Sequence, residues 1–127
     1  MPFITILVED NPTISETLVP ALEELANARV VAIAATATGA RQALERWRGQ
    51  WQLMVVDLFL AAGSGLEVLQ AVRQRNPSQH VYVLSNYATP DMRRRCQALG
   101  ADGVFDKSTE LDAFFEHCMG LPDPEPG

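Results

Sequence analysis

Residues 54–60 read MVVDLFL, six apolar side chains around a single aspartate, Asp57. A short, continuous apolar run rich in valine reads as a strand buried on both faces. A carboxylate in such a run is costly unless it is paired, hydrogen-bonded or held against a cation. The run therefore decides two things. It places a central strand at 52–57, and it asks what Asp57 does at that strand's end.

The same kind of run recurs on either side. FITILV (3–8) is apolar and β-branched and stops at Glu9 and Asp10, which reads as a first strand. RVVAIA (29–34), HVYVLS (80–85) and GVFD (103–106) supply the second, fourth and fifth. Helical patterns lie between them. NPTISETLVPALEELA (11–26) places Ile14, Leu18, Leu22 and Leu25 on one stripe, with Asn11 or Thr13 as cap and Glu16 completing a capping box from Thr13. Pro20 lies inside this helix and is expected to kink or weaken it. TGARQALERWR (38–48) carries Ala40, Ala43, Leu44 and Trp47 on one side. SGLEVLQAVRQRN (64–76) is read as a helix closed by Asn76 and Pro77. TPDMRRRCQALG (89–100) has Thr89 as cap, Pro90 at the first position and Gly100 as its stop. STELDAFFEHCM (108–119) is a last helix, capped at Ser108 or Thr109. Five strand–helix units with fully apolar strands predict an α/β fold: a parallel five-stranded sheet covered on both faces, a three-layer sandwich.

The chain has 127 residues, 47% hydrophobic and 20% charged, as expected of one globular domain. Its formal net charge of −6 and pI near 4.8 disfavour direct nucleic-acid binding. No apolar stretch has the length to insert in a membrane, and the N-terminus lacks the basic segment of a signal peptide. Two cysteines, Cys96 and Cys118, do not make a disulfide framework and read as small core residues, so a reducing, cytoplasmic setting is expected. GLPDPEPG (120–127) reads as a flexible C-terminal tail after a domain spanning 1–119.

In a parallel sheet, ligands bind beyond the carboxyl ends of the strands. The residues there are Glu9 and Asp10 after strand one, Asp57 after strand three, Ser85 ending strand four and Lys107 after strand five. Three converging carboxylates repel one another, and a hard divalent cation with oxygen ligands relieves that; Mg²⁺ suits a site with few carboxylates. Three carboxylates, one Mg²⁺ and one lysine sum to zero charge. One carboxylate could then accept a phosphoryl group as nucleophile, with the metal, Lys107 and the Ser85 hydroxyl offsetting or binding the phosphoryl oxygens. A dinucleotide site is disfavoured, because the first turn, VEDNPT, is acidic where a glycine-rich turn is needed. A hydrolase with an aspartyl nucleophile needs a second acid two residues on, where Phe59 stands. Taken singly, each acid has a structural use: Glu9 and Asp10 could start a helix, and Asp57 could cap a turn.

ILVEDN, VVDLFLAAGSGLEVL, VYVLSNYA and GADGVFDKS, in that order and spacing, closely resemble the receiver domain of bacterial two-component response regulators. The resemblance covers residues 3–119 and implies a flavodoxin-like (βα)5 fold with strand order 2-1-3-4-5. It implies Mg²⁺ held by Glu9, Asp10, Asp57 and the backbone carbonyl of Phe59. It also implies phosphoryl transfer to Asp57 from a sensor histidine kinase or histidine phosphotransfer protein. Ser85 matches the switch hydroxyl and Lys107 the phosphate-pairing lysine. The protein is then expected to be a stand-alone receiver of the chemotaxis type that catalyses only its own phosphorylation and dephosphorylation and signals through an unidentified downstream protein. The runner-up is a receiver-fold adaptor acting without phosphorylation.

The sequence departs from the family pattern at four places. Val104 stands where an aromatic residue reports the switch, with Phe105 one later; Ser108 and Ala61 stand where prolines are usual; Asn86 replaces a small residue after Ser85. Phe59 and Tyr87 lie where side chains govern water access, so slow autodephosphorylation is expected. Arg93, Arg94 and Arg95 form the only basic run, read first as a solvated helix face and, functionally, as a docking surface for an acidic partner. Phe114 and Phe115 are expected to face apart, one onto the sheet and one toward the surface of the fourth and fifth helices. His80 and His117 have no ligand spacing and are assigned no role.

Overall fold

A computed structural model describes residues 1–124. Strands and helices alternate along the chain: β1 (Phe3–Val8), α1 (Pro12–Leu25), β2 (Ala28–Ala34), α2 (Ala37–Arg46), β3 (Leu53–Val56), α3 (Gly65–Ala71), β4 (His80–Ser85), α4 (Pro90–Ala98), β5 (Gly103–Asp106) and α5 (Leu111–Met119). The strands form one parallel sheet in the order β2-β1-β3-β4-β5. This is the flavodoxin-like arrangement, and β3, which carries the opening run, lies at its centre.

Alternation along the strands builds two cores. Ile6, Val8, Met54, Val56, Val81, Val83 and Val104 face one side, against Ala40 of α2, Val68 and Leu69 of α3 and Cys96 of α4. Phe3, Leu7, Leu53, Val55, Tyr82 and Leu84 face the other, against Leu18 and Leu22 of α1 and Phe114, Phe115 and Cys118 of α5. Strands buried on both faces have no polar side to show, which is why their sequences read as unbroken apolar runs.

The caps follow side-chain chemistry. Asn11 Oδ1 accepts from the N–H groups of Thr13 and Ile14, so Asn11 is the cap of α1 and Thr13 lies within the helix. Thr89 Oγ1 accepts from the Met92 N–H at 3.2 Å, as its sequence position predicts. Pro20 is accommodated on the exposed side of an unbroken α1.

Four local expectations need correction. The buried stripe of α1 is Ser15, Leu18 and Leu22, while Leu25 points to solvent. Helix α3 ends at Ala71 rather than near Asn76, because Arg75 turns back and donates to the carbonyl of Val72 at 3.0 Å. Ser108 and Thr109 do not cap α5; their N–H groups donate to Asp106 Oδ1 at 2.7 and 3.1 Å in a turn that precedes it. Phe114 and Phe115 do not divide between core and surface: both are buried, with ring centroids 5.2 Å apart. The Tyr82 hydroxyl, buried in that same layer, lies 3.1 Å from His117 Nε2, a partnership across 35 residues that no local pattern announces.

The tail assigned to 120–127 lies partly outside the described residues. Of its described part, Leu121 packs against the core on the α1–α5 side.

Candidate functional site

The acidic end of the sheet is assembled from the turns that follow β1, β3 and β5. Glu9 leaves β1 buried, with only 4% of its surface exposed. Its N–H donates to the Ala34 carbonyl at 2.9 Å, and its Oε2 accepts from the Asn11 N–H at 3.1 Å. Asp10 follows, exposed. Asp57 sits one residue beyond β3, its N–H bonded to the Val8 carbonyl at 2.9 Å, and its Oδ1 accepts from the Leu58 N–H at 2.7 Å. One carboxylate oxygen from each of Glu9, Asp10 and Asp57 falls within 4.8 Å of the others.

Lys107 answers part of that charge. Its Nζ donates to Asp57 Oδ2 at 3.0 Å and also to Glu9 Oε1. The lysine side chain is only 10% exposed. Burial opposes its charge, but the hydrogen bonds to Glu9 and Asp57 outweigh burial and hold its pKa above the ordinary lysine value. The Glu9 pKa moves in the same direction, which for a carboxyl opposes the charge. Burial, aided by the neighbouring Asp57 charge, raises its carboxyl above the usual range despite the Lys107 and Asn11 hydrogen bonds. Asp57 is thus not an isolated buried charge: a lysine and a backbone N–H hold its two oxygens.

One lysine against three carboxylates leaves a formal −2. At such separations and an effective dielectric of about 20, each like-charge pair repels by roughly 3–4 kcal/mol. The donor set is all oxygen, clustered and under-neutralised, which fits a hard divalent cation such as Mg²⁺. Glu9, Asp10 and Asp57 are the side chains that would hold it.

Ser85, fully buried at the end of β4, turns its Oγ toward the Tyr87 N–H, accepting at 3.1 Å. Its carbonyl accepts from the Lys107 N–H at 3.0 Å, so Ser85 and Lys107 are adjacent through backbone. Phe59, two residues past Asp57, is 52% exposed, and its ring lies on that of Tyr87, centroids 4.1 Å apart. Asn86 and Ser108, two departures from the family pattern, meet: Ser108 Oγ donates to Asn86 Oδ1 at 2.9 Å.

Two glycines shape the turn beneath Asp57. A Cβ on Gly65 would lie 2.2 Å from the Asp57 carbonyl oxygen, and Gly63 adopts φ +75° with Ala37 against it. The sequence carries both residues, but nothing local to them shows that α3 begins in contact with the Asp57 backbone.

The family model of the response regulator receiver domain matches residues 5–118. The chain belongs to this family. Receiver domains bind Mg²⁺ at an acidic pocket and interact with histidine kinases or phosphotransfer proteins and with downstream effectors. Among curated relatives, the response regulator protein PilR of Pseudomonas aeruginosa is 32% identical over 94% of this chain and 27% of its own length. The methanol utilization control regulatory protein MoxX of Paracoccus denitrificans is 24% identical over 85% of this chain and 48% of its own. The chain thus spans less than half the length of these curated relatives. Among solved structures, the receiver domain of NarL from Mycobacterium tuberculosis superposes with a TM-score of 0.76 at 20% identity, covering 94% of this chain and 98% of that one. RcsB from Salmonella enterica serovar Typhimurium, bound to promoter rprA with phosphomimetic BeF3⁻, gives 0.78 at 17% identity, over 98% of this chain and 69% of that one. These two likenesses concern the fold. Among the described residues no helix is long and apolar enough to cross a membrane.

Proposed function

We propose that this receiver accepts a phosphoryl group on Asp57 from a phosphohistidine of a sensor histidine kinase or histidine phosphotransfer protein, and that the modified domain signals through a downstream protein in the cytoplasm. The observation that carries this reading is the Lys107 ammonium shared between Asp57 and Glu9, with Asp10 within reach of both carboxylates. In the transfer, an Asp57 carboxylate oxygen attacks phosphorus, the P–N bond to the donor imidazole breaks and an acyl phosphate forms. Lys107 pairs with a phosphoryl oxygen, and the Ser85 hydroxyl leaves the Tyr87 N–H to donate to another. Mg²⁺ held by Glu9, Asp10, Asp57 and the Phe59 carbonyl would offset charge on the phosphoryl oxygens. The phosphoryl group biases a two-state switch in the loops after β4 and β5. The protein acts on no separate substrate.

An apolar groove of about 360 Å³ between α1 and α5, lined by Ile14, Leu18, Ala21 and Leu111, opens beside Lys107 and Asn86. It offers the phosphodonor protein an apolar surface next to the acceptor. The adaptor reading draws on the Asn86–Ser108 bond, which ties together the two loops a switch must move. Incubation with Mg²⁺ and acetyl phosphate, read by intact mass, separates the two. Wild type gains one phosphoryl group and Asp57→Asn gains none. A folded wild type that gains none leaves the adaptor reading standing.

A further inference from the structure

The basic run of α4 is not one surface. Arg94 is exposed and pairs loosely with Asp91 at 3.4 Å, and Arg95 is exposed. Arg93 is different. Its Nε donates to the Ala88 carbonyl at 2.9 Å, its Nη1 to the Val104 carbonyl at 3.0 Å, and its Nη2 to Glu110 Oε1. The same Glu110 oxygen accepts from the Asp106 N–H at 2.9 Å. Val104 and Asp106 are two apart on β5, so their polar groups point to the same side of the strand. β5 pairs only with β4, and Arg93 and Glu110 together close part of its open edge.

The acceptors are placed with respect to the site. Ala88 is three residues past Ser85, and Glu110 is three residues past Lys107. A single guanidinium therefore joins the two loops that leave the site's hydroxyl and its ammonium. The guanidinium is a planar fork, so its acceptors are held at fixed relative angles; an ammonium would hold them only by distance. With Arg93 32% and Glu110 36% exposed, the ion pair itself is worth little, and its contribution is geometric. The side chain of Val104 is buried toward α4 and fills the core, so it makes none of these links; its carbonyl does.

We propose that Arg93 is a positioning residue for phosphoryl acceptance: its guanidinium, through the Ala88 carbonyl and Glu110, holds the Ser85 and Lys107 loops in mutual register across Asp57. This rests on Asp57 being the acceptor. The Arg93–Glu110 clamp resists independent movement of either loop, so a displacement begun at Ser85 reaches β5 and the start of α5 through Arg93.

The test is the rate of phosphorylation by acetyl phosphate in saturating Mg²⁺, measured on wild type, Arg93→Ala, Arg93→Lys, Glu110→Ala, Glu110→Gln and the double alanine variant. Thermal unfolding is measured in parallel, and rates are taken where each variant is fully folded. Arg93→Ala is expected to lower the limiting rate about tenfold, as misplaced catalytic groups do. Mg²⁺ affinity by calorimetry stays unchanged, since none of the three carboxylates touches Arg93. Glu110→Gln, which keeps an acceptor oxygen, retains most of the rate. The double variant is no slower than Arg93→Ala alone, because both changes break one linkage. A variant with a lowered Tm but the wild-type rate per folded molecule overturns the proposal and leaves Arg93 a structural staple; so do additive effects in the double variant. If Arg93→Ala does not fold, Arg93→Lys, which loses the planar fork, and Glu110→Ala, which loses the acceptor, decide alone: both are expected to be slower than wild type, and wild-type values for both overturn it. A folded wild type that takes no phosphoryl group overturns the acceptor reading and this proposal with it, a result distinct from a wild type that reacts and variants that match it.

Discussion

Two half-buried cations sit at opposite ends of the sheet and are held in opposite ways. Arg75, at the end where strands begin, is 11% exposed. It donates to the carbonyls of Gln79, Val72 and Gly100 and to Asp102 Oδ2, at 2.8–3.0 Å. Asp102 also accepts from the Val81 N–H at 2.8 Å. Three of its four acceptors are backbone, so Arg75 is welded to the path of the chain. Lys107, at the end where strands finish, is equally buried, but its Nζ partners are both carboxylates. A carbonyl cannot change charge; a carboxylate can bind a cation, take a proton or accept a phosphoryl group. The first end is built to stay, the second to be re-partnered.

Substitution at each end should therefore separate stability from chemistry. Arg75→Met is expected to cost about 3 kcal/mol, because it strands an acid and three carbonyls, with denaturant midpoint as the measure. Its phosphorylation rate per folded molecule stays that of wild type; a slower rate would erase the distinction. Lys107→Met should do the reverse. The rate from acetyl phosphate falls about a hundredfold, as when one charge-stabilising donor is removed. Stability changes less, since burial already disfavours the Glu9 charge that the lysine offsets, and the carboxylates left behind are clustered where a cation can replace it. The lysine's own contribution has a defined pH window. Its pKa is raised on folding, so its stabilisation is complete below the unfolded value near ~10.4 and is lost as pH climbs through the folded one. The lysine's share should hold through neutrality and be lost only in strong alkali, while Glu9, whose folded pKa is raised, withdraws stability as pH climbs from its unfolded value through its folded one; thermal melts by far-UV circular dichroism across pH follow both.

Smaller effects sharpen the same contrast. The Phe59 and Tyr87 rings lie against each other beside the re-partnered end, and a shielding role for them predicts that Phe59→Ala with Tyr87→Ala shortens the Asp57 phosphoryl lifetime by roughly threefold to tenfold in a radiolabel chase. A wild-type lifetime of only seconds removes the shielding idea. Cys118, buried between α5 and the sheet, has its thiol pushed up to about 12 by burial. Neither Cys118 nor buried Cys96 should react with a thiol reagent at pH 8 in the native protein, and both should react after denaturation. Fast native labelling would mean that the core opens far more readily than its burial implies.

The strands, the sheet and the acidic edge were legible because each has a local signature. Apolar runs mark double burial, and Glu9, Asp10, Asp57, Ser85 and Lys107 each sit where a strand stops. What escaped was set by contacts between distant residues. Helix α3 reads as longer because 72–76 has acceptable helical residues; Arg75 ends it by binding Gln79, Gly100 and Asp102. The arginine triplet reads as one solvated face because periodicity is blind to Glu110, 17 residues on. Ser108 and Thr109 are ordinary capping residues, yet Asp106 captures both their N–H groups first. The meeting of Asn86 with Ser108 crosses two loops and leaves no trace in either.

Strand β5 carries a lesson in parity. Val104 belongs to the layer beneath α4, whereas Phe105 joins Tyr82, Phe114 and His117 on the α5 side. One step along the chain is a change of room, not a small displacement within one. A ring moved from 104 to 105 has left the audience on the α4 side and gained another at α5. An exchange of the two, Val104→Phe with Phe105→Val, would preserve composition and length while reversing which helix hears the strand.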